Sequence, residues 1–329
     1  KVEKFFSQEL GTFETLLTSS CTHSLELSAM LLSVGPGDEV IMPSFTFVST
    51  ALAFVNRGAR VFYIDIREDT LNLDEKLIEN AITDRTVGIV PVHYAGVSCE
   101  MNTIMDIAKK NNLFVVEDAA QGIDSSYFGK KLGSIGDLGA MSFHETKNIQ
   151  CGEGGAIFIN QKKYIDRAEV IREKGTNRKK FFEGHVDKYT WVDIGSSYLL
   201  NDYSAAFLLA QLENKEIYKI QRLQIWDKYY KSFNGVLPNE VRLPTIPAGV
   251  VHNGHIFYMI TRSHEERVAL TLFLRQNDIQ ATSHYVPLHS SEYGKKTGAF
   301  IGDDKFTTNL SERLIRLPIY CSLKTEEQD

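Results

Sequence analysis

In Leu113-Phe114-Val115-Val116-Glu117-Asp118-Ala119-Ala120-Gln121, Leu113 to Glu117 reads as a buried strand that ends in an acidic residue. An apolar run of this length has no polar face, so it belongs in a sheet covered on both sides. Asp38 to Met42, Arg60 to Ile64 and Val87 to Val92 precede it and read the same way. Helical patterns lie between them. Thr22 to Leu32 carries Leu25, Leu27, Leu31 and Leu32, a second pattern starts at Asn72 with Glu75 as its capping-box partner, and a third covers Met101 to Asn111. Strands alternating with helices predict an α/β fold, with a parallel or mostly parallel sheet between helical layers.

Downstream, Gly139 to Phe143 and Gly155 to Ile159 read as a hairpin-like pair of strands, followed by helix over Tyr164 to Lys174. A helical pattern without Pro or Gly runs from about Asp202 to Ser232 and ends at Asn234-Gly235, as a bridge between domains would. Beyond it, His255 to Ile260 and Gln280 to Tyr285 read as strands flanking a helix that starts at Ser263, with Glu266 as its capping partner. The expected division is a large domain over 1–212 and a small α+β domain over 213–329. The chain opens at Lys1-Val2-Glu3 in a helical pattern without Met and stops at Gln328-Asp329 in a polar stretch, so further residues are expected at both ends.

Bulk properties narrow the function classes. A net charge of -6 supplies no basic stripe for nucleic acid or an anionic membrane. Apolar runs such as Val87 to Val92 are strand-length, far short of the ~20 residues of a membrane span. Cys21, Cys99, Cys151 and Cys321 are scattered with no CxxC pair, which speaks against zinc or a disulfide framework and for reduced thiols in the cytoplasm.

Three stretches carry chemistry. Thr18-Ser19-Ser20-Cys21-Thr22-His23 sits at a helix start, where free N–H groups and the helix dipole favour a phosphate, although an ordinary N-cap has the same sequence. The acidic end of Val115-Val116-Glu117-Asp118 faces the ligand crevice of an open α/β sheet, where it could hold a protonated pyridine nitrogen, bind magnesium or simply be solvated. In Ser142-Phe143-His144-Glu145-Thr146-Lys147-Asn148, a lysine follows a strand and precedes the glycine-rich Gly152-Glu153-Gly154-Gly155. A lysine desolvated on such a loop has a nucleophilic amine suited to Schiff-base chemistry. Phosphate cradle, carboxylate and lysine together match the phosphate, ring nitrogen and aldehyde of pyridoxal 5'-phosphate (PLP).

With these motifs, the chain resembles the DegT/DnrJ/EryC1/StrS sugar-nucleotide aminotransferases over essentially its whole length. The resemblance is carried by Pro43-Ser44-Phe45-Thr46-Phe47-Val48, Glu117 to Gln121, Ser142 to Gly155 and His284-Tyr285-Val286-Pro287-Leu288-His289. It implies the PLP-dependent transferase fold type I, with a mixed, mostly parallel seven-stranded sheet flanked by helices and a smaller α+β C-terminal domain. It also implies a homodimer with shared active sites. The implied substrates are a 4-keto-6-deoxy sugar nucleotide and L-glutamate. By the same resemblance, Lys147 would carry PLP as a Schiff base, Asp118 would pair with the ring nitrogen, Gln121 would contact the ring hydroxyl and Phe47 would stack on the ring. Thr22 and His23 would offer N–H groups to the phosphate, and Ser142 its hydroxyl. Two positions depart from the family pattern. Ser197, in Gly195-Ser196-Ser197-Tyr198-Leu199, stands where many members have an Asn that reaches the partner's phosphate, and Cys21 stands where a glycine is usual.

The histidines and tyrosines divide less cleanly. His284 and Tyr285, with His289, would either line the sugar site or pack a domain interface. His144, beside the lysine, is the better candidate for a sugar contact, and His93 and Tyr94 end a central strand. Other activities fit less well. A PLP-dependent sugar dehydratase is expected to carry His at the Lys147 position. A nicotinamide oxidoreductase needs GxGxxG after the first strand, where this chain reads Pro43-Ser44-Phe45-Thr46. A non-catalytic relative would not need Lys147, Asp118 and Gln121 intact.

Overall fold

The computed structural model describes residues 1–329. Ten strands place the candidate site. They are β1 (Glu14–Thr18), β2 (Glu39–Pro43), β3 (Arg60–Ile64), β4 (Thr86–Ile89), β5 (Phe114–Asp118), β6 (Leu138–Ser142), β7 (Gly155–Ile159), β8 (Phe257–Ile260), β9 (Gly298–Phe300) and β10 (Leu314–Leu317). The large sheet has eight strands in the order β1-β7-β6-β5-β4-β2-β3-β9. β7 is antiparallel to both its neighbours and every other pairing is parallel. The sheet therefore has one strand more than the seven expected. The eighth is β9, which lies beside β3 although it is far away in sequence.

Alternation along the strands divides the core into two layers, because successive side chains leave a strand on opposite faces. Leu17, Ile41, Val115, Ala156 and Phe158 join one apolar cluster. Their neighbours Leu16, Val40, Met42, Val116, Ile157 and Ile159 join the other. The first layer is covered by α1 (Val2–Leu10), α4 (Met101–Lys110) and α6 (Asp202–Glu213), through Phe6, Ile104 and Leu208. The second is covered by α2 (Cys21–Leu31), α3 (Val48–Val55) and α5 (Ile165–Arg172), through Leu27, Phe54 and Ile171. The sheet is thus helix-covered on both faces, which is why its strands read as unbroken apolar runs.

Beyond it, β8 and β10 pair antiparallel. They pack with α7 (Lys215–Phe233) in a separate cluster that holds Trp226, Tyr229, Phe257 and Ile315. α8 (His264–Gln276) starts where expected, with Ser263 as N-cap accepting from the Glu266 N–H, while the Glu266 carboxylate accepts from Arg262 N instead of Ser263.

Three expectations are corrected. The helix placed at Asn72 begins later, as a 3-10 turn over Glu75–Leu77 capped by Asp74. Asn72 is instead buried, and its side chain bridges Val97 O and Tyr94 N. The helix expected from Asp202 to Ser232 is two helices that meet at Asn214, although neither Pro nor Gly is present. Lys215, next after the break, is held by Glu9 and by Asp124 at 2.6 Å. Gln280 to Tyr285 forms no strand; only Thr282 bridges to Arg316. No helix is long and apolar enough to cross a membrane.

Candidate active site

The carboxyl ends of β2, β4, β5 and β6 open on a cavity of about 510 Å³. Asp118 ends β5 and is 5% exposed. The Thr50 hydroxyl, on α3, donates to Asp118 Oδ2 at 2.6 Å, and the Ala120 N–H donates to Oδ1 at 3.1 Å. With the Thr50 proton committed to the carboxylate, its oxygen accepts from Thr46, 2.8 Å away. Asp118 is therefore fixed in orientation while each oxygen keeps acceptor capacity. Glu117 has none to spare. Fully buried, it accepts from the N–H groups of Gly133, Ile135 and Gly136 at 2.6–2.9 Å and from His93 Nε2 at 2.9 Å. His93 Nδ1 accepts from Cys99 N, so the imidazole carries its proton on Nε2. Of the two acidic residues at the strand end, Glu117 staples a loop and Asp118 faces the cavity.

Lys147 lies in the connection from β6 to β7. That connection is held by Phe143 N to Gly154 O, Glu145 N to Gly152 O and Lys147 N to His144 O, all at 2.8–2.9 Å. Gly152, at φ +78°, supplies the left-handed residue the turn needs. Lys147 lines the cavity, and its Nζ makes no hydrogen bond or ion pair. Burial holds its ammonium below the ordinary lysine range, Cys21 and Asp118 pull it back up, and Arg316 adds to the lowering.

The start of α2 forms another wall. Ser20 is the N-cap, with extended backbone, and its Oγ accepts from His23 N at 3.1 Å. Thr22 lines the cavity and shares a hydrogen bond with Ser49, Oγ1 to Oγ at 2.8 Å. His23 is placed differently from the expectation. Its N–H is occupied by the cap hydroxyl, as that position of a helix favours, and its ring turns to Ser19 Oγ and the face of Tyr198. Gly155 permits the close approach of this helix end: a Cβ there would lie 2.4 Å from Ser20 C and 2.5 Å from Cys21 N.

Gln121 reaches across to the C-terminal part of the chain. Its Oε1 accepts from Ala95 N at 2.6 Å and its Nε2 donates to the Tyr285 hydroxyl at 3.0 Å. Burial pushes the Tyr285 phenol up to about 12. The His284 and Tyr285 rings stack at 4.1 Å and 6°. Arg316, on β10, donates through Nη1 to His284 Nε2. A guanidinium only donates, so His284 carries its proton on Nδ1 and gives it to Tyr94 Oη at 3.2 Å. Burial, with Arg316 and Lys147 nearby, lowers the His284 pKa to about 3.

Phe47 (59% exposed), Ser142, His144 and Glu153 complete the rim and floor. His144 Nδ1 meets the Thr146 hydroxyl at 2.9 Å and its Nε2 lies 3.5 Å from Glu153. One cavity thus gathers Lys147, Asp118, Thr22, Phe47, Gln121, Ser142, His144, His284 and Tyr285. Ser197 is exposed outside it, bridged to Glu173. His289 also lies outside, held by Ser44 Oγ at 2.7 Å and Asp304 at 3.2 Å, as a packing residue would be.

Three contributors escaped the sequence reading. Thr50 orients Asp118 from α3. His255 lines the cavity and donates from Nδ1 to Asn148 Oδ1 at 2.7 Å, while Asn253 bonds the carbonyls of Gln121 and Ile123, so this segment clamps both the lysine and carboxylate loops. Arg316 had a signal, a single charge inside the apolar run Leu314-Ile315-Arg316-Leu317.

The donor set fits PLP. A helix start offers N–H groups to a phosphate, Asp118 has spare acceptor capacity for a protonated ring nitrogen, and the Lys147 amine is desolvated and unpartnered.

Comparison with known proteins agrees. The model of the DegT/DnrJ/EryC1/StrS aminotransferase family matches residues 1–329. The spore coat polysaccharide biosynthesis protein SpsC of Bacillus subtilis is 31% identical over 340 residues, covering 99% of this chain and 86% of SpsC. Spr1654 of Streptococcus pneumoniae, solved in its PLP-form, superposes with a TM-score of 0.91 at 27% identity, covering 100% of this chain and 87% of that one. DesV of S. venezuelae, solved in complex with a ketimine intermediate, gives 0.90 at 28% identity, covering 99% and 85%. PLP is the cofactor of these aminotransferases.

Proposed function

The chain belongs to the DegT/DnrJ/EryC1/StrS aminotransferase family, and on that premise we propose that it transfers an amino group from L-glutamate to C4 of a 4-keto-6-deoxy sugar nucleotide. The proposed acceptor is dTDP-4-keto-6-deoxyglucose and the product dTDP-4-amino-4,6-dideoxygalactose, a building block for a surface polysaccharide. The observation that carries the reaction class is the free Lys147 amine in one cavity with the oriented Asp118. The acceptor is supported by Val90-Pro91-Val92-His93-Tyr94-Ala95-Gly96 and Arg172-Glu173-Lys174-Gly175-Thr176-Asn177-Arg178, which resemble dTDP-4-amino-4,6-dideoxygalactose transaminase. The polysaccharide role is supported by the likeness to SpsC.

When bound, PLP supplies the electron sink for transamination. Asp118 would hold its protonated ring nitrogen, Gln121 its ring hydroxyl, Phe47 its face, and Thr22 with Ser142 its phosphate. The Lys147 side chain would hold its aldehyde carbon. Lys147 Nζ would take the proton from the α-carbon of L-glutamate, and in the second half-reaction it would give a proton to C4 of the sugar. Burial lowers the proton affinity of the amine, which favours its action as a base. His144, His284 and Tyr285 would contact the sugar. The net exchange converts L-glutamate and the 4-keto sugar to 2-oxoglutarate and the 4-amino sugar.

A homodimer is part of the same reading, with Ser197 reaching the partner's site. It is supported by the exposed aromatic side chains of Trp191, Tyr203 and Phe207 near Ser197 in sequence. Sedimentation at monomer mass would remove that part. The division at 212/213 is likewise proposed, next to the helix break at Asn214, with β9 of the later part returning to the large sheet.

The test is the visible spectrum of the PLP-loaded protein. L-Glutamate should bleach the cofactor's visible band, and dTDP-4-keto-6-deoxyglucose should then restore it. Bleaching without restoration by this sugar would keep the enzyme class and discard the acceptor, and related C3- and C4-keto sugar nucleotides would then be tried. A band that glutamate leaves unchanged would discard the proposed donor, and no amino donor bleaching it would discard the aminotransfer reading.

A further inference from the structure

Arg316 is a cation in the cavity without an anion. Two buried arginines of this chain are held by the fold, although Arg172 Nε also lacks an acceptor. Arg172 pairs with Glu3 and Glu169, and Arg222 gives Nε and Nη2 to the carbonyls of Gly254 and His255. The only side-chain partner of Arg316 is His284, which the Arg316 contact holds as a neutral acceptor. Its Nε is buried with no acceptor, Nη2 meets none in the chain, and no carboxylate lies within ion-pair distance. A half-buried arginine whose Nε is buried without an acceptor, and which meets no carboxylate, is an incomplete ion pair.

We propose that Arg316 receives the carboxylate of the amino donor, with His284 as the positioning residue that fixes the guanidinium. The proposal rests on the aminotransferase reading above. The chemistry of the two substrates decides between their anions. A donor's α-carboxylate is bonded to the carbon that loses its proton to Lys147, so its receptor has to share a cavity with that lysine, as Arg316 does. The diphosphate of a sugar nucleotide hangs from C1, across the pyranose ring from C4. A planar guanidinium also matches a carboxylate better than an ammonium would. His284 suits its part because it stacks on Tyr285 at 4.1 Å and bonds Tyr94, which leaves Nε2 free to fix Nη1.

The experiment compares wild type, R316Q and R316K, all loaded with PLP. Maleate, a dicarboxylate that cannot react, is titrated by calorimetry. L-Glutamate is titrated by bleaching of the visible band, and the sugar nucleotide by its return in the pyridoxamine phosphate form. R316Q is expected to weaken maleate and glutamate about 10- to 100-fold, as loss of a charge-assisted hydrogen bond does. The sugar nucleotide should change less than about 3-fold, within the spread of an uninvolved position, and R316K should fall between. Unchanged maleate and glutamate affinity in R316Q would overturn the assignment. A loss confined to the sugar nucleotide would also overturn it and give the cation to the diphosphate. Should R316Q fail to fold by circular dichroism, R316K decides on the same readouts. If glutamate fails to bleach wild type while maleate binding still depends on Arg316, the carboxylate site stands and the donor assignment falls.

Discussion

Lys147 Nζ has no partner in the chain, and that isolation makes its replacement informative. Lys147→Ala removes an amine that supports no fold contact, so the variant should fold as wild type, form no Lys-linked visible band with PLP and lose turnover. Substantial residual transamination would reassign the base. Thr50→Val is the quieter test. It keeps the shape of the side chain and deletes the hydroxyl that donates to Asp118. Loss of one hydrogen bond to a charged group, about 1.5–3 kcal/mol, should weaken PLP retention roughly 10- to 100-fold, read by equilibrium dialysis. Retention equal to wild type would mean that Ala120 N alone orients the carboxylate. The split between legible and hidden residues follows from sequence distance. Lys147, Asp118, Gln121 and Ser142 sit in contiguous motifs at strand ends, so their neighbours announce them. Thr50 and His255 acquire meaning only from contacts the fold makes, as between Thr50 and Asp118, while Arg316 stands out as a lone charge in an apolar run but gains its partner His284 from the fold.

At the scale of elements, the junction of α2 with β7 is the tightest point of the site. Gly155→Ala puts a methyl group into the backbone of Ser20 and Cys21. Backbone cannot swing aside as a side chain can, so the helix start has to shift. A cost of about 1–3 kcal/mol is expected from overpacking, seen as a lower urea midpoint together with weaker PLP binding. A lower midpoint with unchanged PLP affinity would mean that the α2 start does not hold the cofactor. Strands β3 and β7 fall where the apolar runs place them, because sheets buried on both faces leave unbroken hydrophobic signatures. β10 was missed because Arg316 interrupts its run, and β9 because Gly298-Ala299-Phe300 is too short to carry a pattern. The helix break at Asn214 left no local mark either, since tertiary ion pairs hold Lys215.

Across the whole molecule, three histidines are held in neutral form, His255 buried and His252 and His284 half-buried. Burial lowers His284 to about 3 and His252 to about 4, and pushes His255 well below its ordinary value, with Lys147 and nearby arginines adding to the effect on His255. In the unfolded chain each would titrate near 6.5. The unfolded state therefore binds more protons below that pH, and stability present above about pH 6.5 is lost as pH falls toward 4. Each histidine contributes up to about 1.4 kcal/mol per pH unit, so the three together should give about 3–4 kcal/mol per unit between pH 6 and 5. Urea unfolding of the cofactor-free protein at those two pH values checks this, and equal stability at both would show that the three rings are protonated in the folded state.

The eighth strand has a consequence for how the protein is made. β9 covers the edge of β3, yet the two are separated by most of the chain. On a ribosome adding ~5–20 residues per second, the edge at Arg60–Ile64 stays open for roughly 10 to 50 s after it emerges. An apolar strand edge bare for that long is a template for pairing with another nascent chain. Val61, Phe62, Tyr63 and Ile64 carry no charge to discourage it. Chains stalled before Gly298 would keep that edge open for good, so crowded polysomes are where this sheet is most exposed to aggregation.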